Sequence, residues 1–425
     1  MNCKNCNVQL GKGVTVCPNC GKNNRCVWKR ILAAFCGAVL LAVVVCAALY
    51  GFGIIDFGIR ENNAQYKGSY TVSDKKALNN ADMIIAVAGG KELTNGDLQI
   101  YYSIEAIEFI TEYSEYLNYL NLDYQKPLDK QYYAKSQGIT WQQKFLDGAL
   151  NTWHLYTMLN LAAQDEGYVF DDELKQTVEK LSENLEELAK QNNYGSADEM
   201  IQEDFGGACT VEAYLRYLEN YYTGIAYLGS RYDMMTPTQQ EIEDYFTENQ
   251  ETLEESGIKK TSGKYVDVRH ILIQPKGGTK DEEGNVTYTQ AEWDTCYTSA
   301  KAVLEEWLAG AATEDSFAEL ANKYSEDPGS NTKGGLYTQV AAGKMVEEFN
   351  AWIFDESRVK GDYDIVKTEH GYHIMYFVGS EDIWISEVRN MIVSNRADAF
   401  LKEIEERYPI QVTYKNIVLG KLSLA

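Results

Sequence analysis

The spacing of hydrophobic positions changes several times along the chain, and each change predicts an element. Residues 31–55 form one uncharged run, ILAAFCGAVLLAVVVCAALYGFGII, of the length a transmembrane helix needs. Residues 56–80 are polar and aperiodic, which predicts a tether. Met83 to Ala88, followed by Gly89 and Gly90, reads as a short strand and turn. From Asn95 the period becomes helical, with Leu98, Tyr101, Tyr102, Ile104 and Ile107 on one stripe. The same period returns at Leu174, Val178, Leu181 and Leu185, and again at Ala213, Leu215, Leu218 and Tyr222. Ser196 with Glu199, and Thr210 with Glu212, mark helix starts. Pro237, between two threonines, opens a further helix through Ile242, Tyr245 and Phe246.

Residues 265–273, YVDVRHILI, alternate with period two and predict a strand whose inner face carries Val266, Val268, His270 and Leu272. A Gly-, Lys-, Asp- and Glu-rich loop follows over 275–288. Two helices come next, one with Tyr297, Ala300, Val303, Leu304 and Trp307, the other with Phe317, Leu320 and Tyr324. Residues 325–336 read as a turn-rich loop, and 343–349 as the start of a third helix. Residues 363–368 are extended, and 371–377 form a strand with His373, Met375 and Phe377 on one face. A last helix carries Ile385, Val388, Ile392, Ala397, Phe400 and Ile404, and a strand over 410–414 follows.

Composition narrows this picture. The 425 residues are too many for one ordinary core, and 45% hydrophobic with 24% charged is a globular balance. A net charge of −24 repels phosphate, so nucleic acid is not an expected partner. All of the nine cysteines except Cys209 and Cys296 lie at or before Cys46, which is no disulfide framework. Cys3, Cys6, Cys17 and Cys20 form two C-x-x-C knuckles, the spacing of a closed four-thiolate zinc ribbon with a structural rather than catalytic Zn²⁺. Arg25, Lys29 and Arg30 precede the uncharged run and Asp56 follows it. The positive-inside rule therefore places the N-terminus in the cytoplasm and residues 56–425 outside, in a single-pass cell-membrane protein. Cleavage near Ala47–Ala48 competes with an uncleaved span, but would discard the ribbon.

Five stretches in order, RHILI, FAELANKYSEDPGS, KGGL, GKMVEEF and TEHGYHI, resemble the parvulin family over about 262–380. The stretches 204–215 and 236–246 resemble the N-terminal helical domain of SurA- and PrsA-type foldases. The fold this implies is α+β: a parvulin-type β-sheet with surrounding helices inserted in a mostly helical SurA-N-like chaperone domain, plus the zinc ribbon and one transmembrane helix. The corresponding segments are a ribbon over 1–25, a span over 31–55, a linker over 56–80, a helical body over 81–260, an isomerase module over 262–380 and a returning helix and strand over 381–425.

The resemblance implies peptidyl-prolyl cis-trans isomerisation without a catalytic cofactor. Its clients would be unfolded or partly folded secreted polypeptides. It assigns His270, Asp327 and His373 to catalysis, Leu336, Met345 and Phe349 to an apolar proline pocket, and Thr368 and His370 to its polar rim. Two departures stand out. The loop after the double glycine reads Leu336-Tyr337-Thr338-Gln339-Val340, with Tyr337 in place of a floor aromatic. The 275–288 loop carries Asp281, Glu282 and Glu283, which argues against phosphorylated substrates. An active isomerase therefore competes with a client-binding chaperone that has lost catalysis. A packed core role competes with function for His270, His373, Leu336, Met345 and Phe349, and His154 is expected to be a packed helix histidine.

Overall fold

The computed structural model describes residues 70–423, apart from 281–283 and 285. The ribbon cysteines and the 31–55 run lie outside the described residues. Among the described residues no helix is long and apolar enough to cross a membrane. The chain divides into two compact units, one formed by residues up to Thr236 together with those from Val393, the other by Pro237–Ile392.

The first unit begins with β1 (Thr71–Val72), α1 (Asp74–Asn79), β2 (Ile84–Ala88), β3 (Lys91–Thr94) and α2 (Asn95–Glu112). It continues through β4 (Tyr132–Ala134), β5 (Ile139–Thr140), α3 (Trp141–Asp165), α4 (Asp172–Gln191), α5 (Ala197–Phe205) and α6 (Val211–Met235). Side chains of Thr94, Thr140, Asp171, Ser196 and Thr210 accept the third backbone N–H of α2 to α6, which fixes each start. Gly89 and Gly90 take φ of 53° and 81° and turn β2 into β3. Tyr102, Trp141, Phe145 and Leu146 are buried in the core between α2 and α3. Gly224 lets α6 approach α3: a Cβ there would lie 3.3 Å from the Tyr156 carbonyl oxygen.

The second unit holds α7 (Gln239–Glu248), α8 (Gln250–Glu255), β6 (Lys264–Ile273), β7 (Thr279–Lys280), β8 (Val286–Thr287), α9 (Gln290–Ala309) and α10 (Glu314–Tyr324). Then come β9 (Leu336–Val340), α11 (Glu347–Ile353), β10 (Tyr363–Thr368), β11 (Gly371–Asp382) and α12 (Ile383–Arg407), which belongs to this unit as far as Ile392. Four antiparallel strands lie in the order β10-β11-β6-β9. Strand alternation divides the hydrophobics between two faces. Val266, Val268, Met375 and Phe377 pack with Phe349, Trp352 and Ile353 of α11. Ile271, Ile374 and Tyr376 pack with Ala300, Val303 and Trp307 of α9 and Phe317 and Ala321 of α10. Strand β9 is an addition to the expected pattern. Leu336-Tyr337-Thr338-Gln339-Val340 lacks clean alternation because a β-bulge interrupts its pairing with β6, between Val268↔Tyr337 and Val266↔Val340. Gln339 sits there at φ 51°, its N–H held by Asp267 Oδ1 at 2.7 Å.

The chain then closes the first unit. β12 (Gln411–Val412) pairs antiparallel with β2, and β13 (Val418–Leu419) pairs parallel with β1. His154 is buried and donates from Nε2 to the Tyr408 carbonyl at 2.7 Å, a packed histidine joining α3 to the C-terminal segment. The tether expected over 56–80 is corrected at its end. Residues 71–79 are a strand and a helix, because β13 supplies a pairing edge and Ser73 caps α1.

Candidate active site

Strands β6 and β11 bring His270 and His373 side by side on the face that packs against α11. Both are buried, and their Nδ1 atoms lie 3.0 Å apart. His373 Nε2 lies 2.9 Å from Thr368 Oγ1 at the end of β10, and Thr368 also accepts the His370 N–H at 3.1 Å. At the other end, His270 Nε2 lies 3.0 Å from Asp327 Oδ2. Asp327 follows α10 in a turn anchored to β6: Ser325 Oγ accepts the Leu272 N–H, and the Glu326 N–H donates to the Leu272 carbonyl.

A carboxylate can only accept, so His270 donates to Asp327 from Nε2. One proton lies between the two Nδ1 atoms, and another between His373 Nε2 and the Thr368 hydroxyl oxygen. Burial, helped by the neighbouring His270, pushes His373 down to about 3. Asp327 Oδ2 also accepts the Ser330 and Tyr337 hydroxyls, the latter at 2.9 Å, while Oδ1 accepts the Gly329 N–H at 3.3 Å. The His270 bond, with those from Ser330 and Tyr337, holds the Asp327 carboxyl well below the usual carboxylate range. Burial, then Asp327 itself, pushes the Tyr337 hydroxyl up to about 12.

Aromatic packing fixes the imidazole planes. Phe349 meets both histidines edge-on, with centroids 5.3 and 5.4 Å away, and Tyr337 stacks on His270 at 5.4 Å. Met345 packs half-buried against the Phe349 cluster. The structure therefore gathers His270, Asp327, His373, Thr368, Phe349 and Met345. Thr368 is a buried link of the hydrogen-bond chain rather than a rim group.

Leu336 is not gathered. Its register partner is Arg269, so it points to the opposite sheet face, and Tyr337, partner of Val268, takes the histidine face. His370 is an exposed side chain whose Nε2 lies 3.8 Å from Glu369 Oε1. Ser330, fully buried and 3.1 Å from His270 Nε2, was not anticipated; its position in Asp327-Pro328-Gly329-Ser330 was the available signal.

Residues 253–379 match the family model described as the PPIC-type PPIASE domain. This stretch is a parvulin-type peptidyl-prolyl isomerase domain. The foldase protein PrsA of Exiguobacterium sibiricum is 29% identical over 180 residues, 42% of this chain and 45% of that protein. The chaperone SurA of Shewanella frigidimarina is 31% identical over 143 residues, 33% of this chain and 28% of that protein. The crystal structure of PrsA from Bacillus subtilis aligns over 77% of this chain and 91% of its own, at 18% identity and a TM-score of 0.29. The chain thus spans less than half the length of these two curated relatives.

Proposed function

We propose that this chain is a membrane-anchored, extracytoplasmic foldase that isomerises X-Pro bonds in secreted or surface polypeptides and holds them while they fold. The observation that carries this reading is the continuous chain Thr368–His373–His270–Asp327 packed beneath Phe349. Rotating an amide costs about 18–20 kcal/mol because its resonance must be broken. No bond to the substrate is made or cut, so the site has only to bind the twisted amide better than either planar form. Phe349 and Met345 offer the proline ring an apolar surface. The Asp327 charge, fixed by its donors, disfavours the polarised planar amide and favours the twisted one, in which charge separation has fallen. The histidines and Thr368 hold Asp327 in place and need not exchange protons during turnover.

Anchoring by residues 31–55, outward placement of residues 56–425 and a structural Zn²⁺ held by Cys3, Cys6, Cys17 and Cys20 belong to the same proposal and rest on sequence spacing. Client holding is proposed for the helical unit, on the strength of the PrsA and SurA similarities. The test is a protease-coupled assay of the full chain in mild detergent on peptides containing an X-Pro bond. A rate above the uncatalysed one that falls about tenfold or more in Phe349→Ala and Asp327→Ala supports the reading. A wild-type rate equal to the variants' would leave a client-binding protein without catalysis.

A further inference from the structure

We propose, resting on the isomerase reading, that Asp267 and Gln339 are positioning residues for the site: the one-residue bulge they hold in β9 brings Tyr337, rather than Leu336, to Asp327. Strand β9 carries one residue more than the stretch of β6 it faces. Val340 pairs with Val266, but Tyr337 pairs with Val268 and Leu336 with Arg269. Continued without a shift, the Val340↔Val266 register would set Thr338 opposite Val268, Tyr337 opposite Arg269 and Leu336 opposite His270. A slip of one residue turns each side chain of a strand to the other face. The bulge thus exchanges the two side chains at the histidines. Tyr337 gives Asp327 Oδ2 a hydroxyl donor at 2.9 Å and stacks its ring on His270 at 5.4 Å. Leu336 in that place has no donor to offer.

Both residues hold the bulge against a cost. Gln339 has φ 51°, in the left-handed region that a residue with a Cβ disfavours. Its N–H donates to Asp267 Oδ1 at 2.7 Å, and its side-chain amide donates at 3.1 Å to Ser386 Oγ, a buried hydroxyl on α12. Glycine would suit the dihedral but could not make the second bond. Asp267 is half-buried. Burial pushes its carboxyl up, the Gln339 N–H opposes that rise, and nearby Glu381 and Glu314 add to it. Strand β11 also gains a residue at this level, between Phe377↔Val268 and Gly379↔Asp267. Asp267 therefore marks the level at which both neighbours of β6 change register.

The test uses the full chain in mild detergent, with its four histidines labelled with carbon-13. Tyr337→Phe is the reference, since it removes a donor from Asp327 and moves the acid limb of kcat/KM to higher pH. Asp267→Ala removes the acceptor of the Gln339 N–H. Gln339→Val puts a β-branched side chain where φ is positive. Each is expected to move the acid limb as far as Tyr337→Phe does, and adding Tyr337→Phe to either should move it no further. The His270 ring signals, which sense the stacked Tyr337 ring, should shift in both variants. Deleting Gln339 removes the extra residue and leaves Tyr337 opposite Val268 in a regular strand. In the Asp267→Ala background this deletion should return the acid limb and the His270 signals to their wild-type positions. An unmoved limb, unmoved His270 signals, a further shift on adding Tyr337→Phe, or a deletion that restores nothing overturns the proposal. Should Gln339→Val not fold, Asp267→Ala and its rescue by the deletion decide alone. A wild type without isomerase activity overturns the isomerase reading and the proposal with it, whereas any of the earlier outcomes in an active wild type overturns the proposal alone.

Discussion

Asp327 is the residue on which the site turns, because its charge is held by three side-chain donors on one oxygen and a backbone donor on the other. Tyr337→Phe removes one donor and leaves the ring in place. The Asp327 carboxyl then rises toward its ordinary range, so the acid limb of kcat/KM is expected to move to higher pH. A pH–rate profile checks this, and an unmoved limb would show that Tyr337 only packs. His373 makes a second prediction with a definite sign. Its folded value, about 3, lies below the ordinary 6.5, so the unfolded chain binds a proton that the folded chain refuses. Stability is therefore complete above pH 6.5 and declines as pH falls toward 3, by at most about 1.4 kcal/mol per unit. The depressed Asp327 adds its own loss only below the ordinary carboxylate value near 3.8. Urea midpoints of the 237–392 transition should fall between pH 7.5 and 4.5, and His373→Gln should flatten that slope even where it lowers the midpoint.

At the scale of the element, strand β9 separates what the sequence discloses from what it conceals. His270 and His373 were legible because each lies in an alternating strand, where period two assigns the face. Asp327, Met345 and Phe349 were legible through motif resemblance. The face of Leu336 was not, because it depends on a register set by pairing with β6 and on a bulge at Gln339, neither of which is a local property. Ser330 and the Tyr337 hydroxyl were hidden for the same reason: their partner Asp327 is reached across a turn or from another strand. The register has a direct consequence. Leu336→Ala, on the face away from the histidines, should leave the isomerase rate within about twofold of wild type. Met345→Ala, in the Phe349 cluster, should lower it by about tenfold, since removing one apolar contact is worth about 1–3 kcal/mol of substrate discrimination. Equal losses in both variants would mean that β9 is registered differently.

At the scale of the whole molecule, the first unit depends on residues that come after the second in the chain. Strands β1 and β2 have β13 and β12 as partners, and Ile404, Tyr408, Ile417 and Leu419 are buried in the first unit's clusters. Asn95 both donates to the Asn416 carbonyl and accepts the Val418 N–H, each at 2.9 Å. Deleting one large buried aliphatic costs about 2–5 kcal/mol. Losing several, with two strand pairings, approaches the whole 5–15 kcal/mol by which a domain is typically stable. The second unit has no such dependence, since its sheet and the α12 residues it uses, Trp384, Val388 and Ile392, all precede Val393. A chain ending at Ile392 should therefore lose hydrogen-exchange protection over 84–88 and 95–112 while keeping it over 264–273 and 371–377. The isomerase rate on a short peptide should survive the truncation, whereas suppression of aggregation of an unfolded client should not. Retained protection in both units would show that α2, α3 and α6 suffice for the first core, and that the returning strands only decorate it.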